Sequence, residues 1–219
     1  MKKKIFFYSI IILGLLIVGI PDLLKWNYWL KSGIKIIILL LIPVIYSILK
    51  KQSIKQYLFT SKKVLLLSLL TGIIIYSFIV IGYLLFNKYF DFSAVADGLS
   101  DIGITKKNFI FVFLYIPLIN AFVEEFFFRG FLMNEKITNT PGIFAMILSA
   151  LFFALYHIFI MNKMINPLLF FVTIAILFCI GYLFNWISKK YHSILPTYII
   201  HMFANLAINT CALFVLGMF

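Results

Sequence analysis

The chain has 219 residues, the length of one domain, but it is 64% hydrophobic, 19% aromatic and only 12% charged. A mean hydropathy of +1.10 excludes a water-soluble globule, in which roughly 25% of residues are charged. The formal charge of +12 comes from 19 Lys and Arg against 7 Asp and Glu. These basic residues cluster between apolar runs and do not tile a face with interleaved aromatics, which points to anionic lipid contact and excludes nucleic acid as a partner.

A helix needs about 20 residues to cross a hydrocarbon core of roughly 30 Å. Seven apolar runs are candidates: Ile5 to Ile20, Ile34 to Leu49, Val64 to Phe86, Phe109 to Met133, Gly142 to Ile160, Leu168 to Ile187 and Ile194 to Phe219. They predict an all-α, polytopic transmembrane helix bundle of about seven spans, forming a single membrane domain over residues 1–219. The first two runs are short enough to lie partly in the interface. Met1-Lys2-Lys3-Lys4 resembles the start of a secretory signal, but the run behind it meets Pro21-Asp22 with no small-residue cleavage pattern, so it reads as a retained signal-anchor. Cys179 and Cys211 fall inside apolar runs and read as small hydrophobes, in neither a disulfide framework nor a zinc spacing.

Orientation follows from Lys and Arg in alternate connections. One side takes Lys2, Lys3, Lys4, Lys50, Lys51, Lys55, Lys62, Lys63, Arg129, Lys136, Lys189 and Lys190; the other takes Lys25, Lys31, Lys35, Lys88, Lys106, Lys107 and Lys163. Twelve against seven places the amino terminus in the cytoplasm and the carboxy terminus outside. The longest connection, Asn87 to Lys107, carries Asp91, Asp97, Asp101, Gly98 and Gly103 and reads as a solvated external loop without a metal-binding spacing.

Chemistry is expected where ionisable groups sit in hydrocarbon, because insertion there costs several kcal/mol. Two of the three glutamates are adjacent in the fourth run, Glu124-Glu125, and the sole arginine, Arg129, follows; His157 and His201 lie in later runs. Adjacent helical residues point about 100° apart, so the two carboxylates cannot share a direction. Glu125 and Arg129 are i,i+4 in the favourable order and predict a structural ion pair, with Arg129 reaching toward cytoplasmic headgroups. Glu124 is left without a partner in this reading, free to take a proton from water.

In the seventh run Thr197, His201, Asn205 and Asn209 recur every four residues, a polar stripe that must face protein or water. Thr197 and Asn209 read as interhelical hydrogen-bonding groups. His192 lies in a basic connection and reads as interfacial. Phe126 to Phe128 and the Phe152-Phe153 pair read as lipid-facing or packing residues, with Phe153 one turn before His157.

Glu124-Glu125-x-x-x-Arg129, Phe153-x-x-x-His157 and His201-x-x-x-Asn205, in that order and in three hydrophobic spans, resemble the motifs of the CPBP intramembrane protease family, which includes CAAX proteases and bacteriocin-processing (Abi) proteins. The likeness spans roughly Phe109 to Phe219, a catalytic core within the single domain. His192 stands where family members often carry a glycine. The resemblance implies peptide-bond hydrolysis within the membrane, with Glu124 as the base activating water, His157 assisting, and His201 and Asn205 stabilising the oxyanion. No cofactor is favoured, although Glu124, His157 and His201 are also a donor set that Zn²⁺ could use. The expected protein is a multi-pass bacterial plasma-membrane peptidase whose partners are the lipid bilayer and a short hydrophobic or membrane-associated peptide. Its site is expected to open toward the cytoplasmic half. The alternatives are a non-catalytic bacteriocin immunity or membrane scaffold protein, and a proton-coupled transporter, which no repeat symmetry supports.

Overall fold

A computed structural model describes residues 2–24, 26–53, 55–89, 92–161 and 167–218. Lys25, Asp91 and Lys163 lie outside the described residues. The chain is 84% helical, and among the described residues there is no strand. The helices are α1 (Lys2–Leu23), α2 (Tyr28–Leu49), α3 (Lys62–Phe86), α4 (Ser93–Asp101), α5 (Phe109–Phe131), α6 (Gly142–Tyr156), α7 (Pro167–Tyr191) and α8 (Leu195–Val215). Six are long and apolar enough to cross a membrane, and α6 is a shorter apolar helix. The bundle of about seven spans is therefore present.

The first two spans are longer than their apolar runs. Helix α1 continues through Pro21, and α2 begins at Tyr28, where the Asn27 side chain accepts from the Trp29 amide. Both reach 22 residues, about 33 Å at 1.5 Å per residue, enough to cross rather than lie in the interface. This moves Lys31 and Lys35 inside α2. Arg129 is also internal, 2% exposed, so it does not reach the headgroups. With Lys31, Lys35 and Arg129 withdrawn from the connections, the counts along the sequence become eleven and five, and the charge asymmetry stands.

The ends of the bundle are tied by hydrogen bonds that identify its two faces. On one face the Tyr28 amide donates to Ile102 O (3.1 Å) and Lys106 Nζ to Gly217 O (3.1 Å). On the other, the Ile194 amide donates to Tyr57 O (2.9 Å) and Tyr8 Oη to Thr140 Oγ1 (2.9 Å). The acidic connection folds into α4 and then turns through Gly103, at φ +80°, with Asp97 and Asp101 exposed.

Packing separates lipid-facing from buried surfaces. Helix α3 buries only Ser68 and Gly72, and a Cβ at Gly72 would lie 2.4 Å from the Phe203 ring of α8, so this glycine permits the close α3–α8 approach. Phe126, Phe127 and Phe128 are all buried, as are Phe152 and Phe153; they are packing residues, not lipid anchors. Thr197 hydrogen-bonds Ser188 of α7 (3.1 Å) and Asn209 donates to Phe113 O of α5 (3.1 Å), so both stripe residues join helices. Cys179 is exposed and Cys211 half-buried, both as free thiols.

Two wide π-helical turns interrupt α5, Ile116–Asn120 and Phe126–Phe131, and bracket the regular stretch Ala121–Glu125. Pro117 sits in the first of them; its missing amide favours such a departure from regular bonding. A third π turn, Ile37–Leu41, interrupts α2 just beyond Lys35. Such turns concentrate at functional sites because they re-aim side chains.

Between α7 and α8 the chain turns through His192 at φ +49°, the left-handed region that glycine occupies without cost. The turn thus keeps the conformation a glycine would favour. His192→Gly is expected to raise stability by about 0.5–1 kcal/mol, the left-handed penalty less the entropy of the added glycine, read as a higher melting temperature in detergent.

Candidate active site

Four helices bring their polar residues to one interior cavity. Helix α5 supplies Asn120 and Glu124, the end of α6 supplies Tyr156 and His157, α8 supplies His201 and Asn205, and α2 supplies Lys35. The four residues singled out as catalytic candidates therefore share one space. Three others, Lys35, Asn120 and Tyr156, complete it and were not singled out.

Glu124 is not the unpartnered acid that its position on α5 predicts. Its Oε1 accepts from Lys35 Nζ (3.0 Å), Asn120 Nδ2 (2.9 Å) and, at longer range, Tyr156 Oη (3.4 Å). Lys35 also donates to Asn120 Oδ1 and lies 4.8 Å from the Tyr156 ring centroid, within cation–π range. Lys35 was read as a connection residue because the apolar run begins beside it. In the folded chain it is two helical turns inside α2 and points at the carboxylate. All the donors converge on one oxygen. The second, Oε2, faces His201 Nε2 at 3.7 Å, a separation at which one water can touch both atoms.

Both histidines have their Nδ1 committed. His157 Nδ1 donates to Phe153 O (2.7 Å), one turn back on α6, and the Phe153 ring packs on the imidazole at 4.7 Å. A backbone carbonyl can only accept, so the other ring nitrogen of His157 is left for chemistry. His201 Nδ1 is 2.9 Å from Glu125 Oε1, and Arg129 Nη1 donates to that same oxygen at 2.9 Å. The Glu125–Arg129 ion pair has both side chains at 0% exposure. Its guanidinium is flanked by the Phe153 ring at 4.3 Å and the Phe184 ring at 5.3 Å, cation–π contacts that partly replace lost water. Glu125 is thus more than half of an ion pair, because it also fixes the orientation of His201.

The cavity mouth lies where Asp22, Tyr28, Lys31, Val95, Leu99, Ile102 and Ile104 line it. These residues belong to the face of the Tyr28–Ile102 contact, opposite the lysine-rich face around Tyr57 and Ile194. The outer lining of the cavity thus lies on the face opposite the lysine-rich connections. Under Glu124, Phe127, Phe128, Phe131, Leu132 and Phe153 form a buried plug.

The zinc donor set fits poorly. Among the described residues no three His, Cys, Asp or Glu side chains converge on one ion position, and the Lys35 ammonium already sits on the Glu124 carboxylate, where it would repel a second cation.

Residues 106–207 match the family model described as Type II CAAX prenyl endopeptidase Rce1-like. The matched segment contains Glu124, Glu125, Arg129, His157, His201 and Asn205 but not Lys35. No curated protein and no solved structure matches the chain.

Two outcomes follow from the paired charges. Glu125→Gln strands Arg129 and is expected to cost about 3–5 kcal/mol, as breaking a buried pair does; Glu125→Gln with Arg129→Gln should recover part of that stability in a detergent melt. Activity should not return with it, because His201 still lacks its carboxylate. Lys35→Met should destabilise more than Lys35→Arg, which keeps a cation beside Glu124.

Proposed function

We propose, from the match of residues 106–207 to the Rce1-like model, that the chain belongs to the CPBP/CAAX intramembrane protease family and is an endopeptidase hydrolysing a peptide bond of a small hydrophobic or membrane-associated peptide with glutamate-activated water. The observation that carries this reading is the asymmetric environment of Glu124, one oxygen saturated by donors and the other directed at His201 across a cavity open to one face.

Water held between Glu124 Oε2 and His201 Nε2 loses a proton to the carboxylate as its oxygen attacks the scissile carbonyl. His157, with Nδ1 donated to Phe153 O, presents its other nitrogen to assist that transfer. The tetrahedral oxygen needs preorganised donors in a water-poor pocket. Asn205 supplies an amide, and His201, oriented by the Glu125 carboxylate at Nδ1, directs Nε2 at the same space. Glu124, now carrying the proton, returns it to the leaving amine as the C–N bond breaks. The carboxylate is regenerated and one water is consumed.

Metal-free chemistry is part of the proposal, since the Lys35 ammonium on Oε1 already neutralises Glu124 and would repel a second cation at Oε2. A bacterial plasma-membrane setting follows from the same reading and from the lysine-bearing connections.

Purified protein and a peptide library, with wild type beside Glu124→Gln, test the activity. Glu124→Gln keeps the shape but removes the base, and turnover should fall by at least about 10²-fold, with the melting temperature less affected than in Glu125→Gln. His157→Ala, His201→Ala and Asn205→Ala should each lose activity. Cleavage should survive EDTA and phenanthroline; abolition by chelator with recovery on Zn²⁺ would reject the metal-free chemistry. Cellular function that persists in Glu124→Gln would instead favour a non-catalytic immunity or scaffold role.

A further inference from the structure

Two independent observations fix the side from which this site is reached. The mouth of the cavity is built from the α1–α2 turn, α4 and the segment that follows it, through Asp22, Tyr28, Leu99 and Ile104. The opposite end is closed by buried aromatic packing beneath Glu124, with Phe128 at 0% and Phe131 at 4% exposure. The cavity lining thus runs from the face of the α1–α2 turn to Glu124. Separately, the two faces differ in charge: eleven lysines fall in the connections and helix ends of the closed face, whereas among the described residues Lys88, Lys106 and Lys107 fall in those of the mouth face. Lysine-rich connections remain in the cytoplasm.

From these together we infer that the substrate reaches the active site from the non-cytoplasmic side, so that the protein acts on an exported peptide or on the outward-facing segment of a membrane protein, not on a cytoplasmic chain end. The inference rests on the peptidase reading above. The mouth is consistent with the chemistry of such a substrate. Val95, Leu99, Ile102 and Ile104 give it an apolar wall for apolar side chains, while Lys31 and Asp22 pair with each other. The wall thus offers burial of apolar surface, and this lysine is already neutralised by its neighbour.

The experiment uses single cysteines in full-length protein in which Cys179 and Cys211 are replaced by alanine. Ser100 is exposed on α4, Leu99 lines the mouth, and Ser53 is exposed on the lysine-rich face. With a membrane-impermeant maleimide, Ser100→Cys and Leu99→Cys are expected to react in intact cells, and Ser53→Cys only after permeabilisation. In proteoliposomes given an impermeant apolar peptide from outside, the cleavage rate should rise in proportion to the fraction of molecules whose Ser100→Cys is labelled from outside. Labelling of Ser53→Cys in intact cells, or cleavage that tracks the fraction with Ser53→Cys outward, would overturn the inference. The same peptide in detergent separates the two readings. No cleavage there counts against the peptidase, whereas cleavage in detergent with the wrong sidedness counts against the route alone, and the cysteine labelling decides the route whether or not cleavage is found.

Discussion

Placing full charges in the interior of a bilayer-spanning bundle is tolerable only when each one has a partner, and this constraint organises the centre of the protein. Lys35 with Glu124, and Arg129 with Glu125, bring four ionisable residues together with no net charge. The two pairs do different work. Arg129 and Glu125 are fully buried and lie on one helix, so their pairing depends little on how the helices pack. Lys35 and Glu124 lie on different helices, so their pairing forms only when α2 docks against α5. Assembly of the amino-terminal helices onto the matched segment is therefore coupled to the charge state of the cavity, and residues outside the recognised segment complete the site.

The parts of the site legible in the sequence were those set by local geometry. The i,i+4 spacing of Glu125 and Arg129 gave their pair, and the four-residue recurrence on α8 gave the helix-joining contacts of Thr197 and Asn209. Lys35 was invisible for a definite reason. An apolar run was taken to begin at Ile34, whereas Asn27 caps α2 two turns earlier, and a lysine at the edge of a run cannot be told from one inside a helix by hydropathy alone. Asn120 and Tyr156 depend on the packing of α5 against α2 and α6, which no spacing within a single helix encodes. The same limit hides the aromatic plug under Glu124, which combines residues of α5 and α6 that are far apart in sequence.

Histidine orientation shows how local and long-range contacts divide the labour. His157 is fixed by its own helix, through the carbonyl one turn behind it. His201 is fixed across the bundle by Glu125. A disturbance of the α5–α8 contact would reorient His201 and leave His157 in place, so the two nitrogens that face the cavity are protected against different kinds of distortion.

The wide turns of α5 carry a consequence for how this chain can vary. Each holds more residues than a regular turn, so the helix on either side runs at a different rotational phase from an uninterrupted α-helix. Losing the extra residue of Phe126–Phe131 would let the helix close to regular geometry with the residues beyond it in place, whereas closing it with that residue retained would turn everything beyond it by about 100° relative to Glu124. Arg129 would leave its aromatic cage without any substitution in the site itself. The wide turn itself, and not residue identity alone, therefore sets where Arg129 points, and it is the one kind of place inside a span where a residue can be gained or lost without turning the rest of the helix.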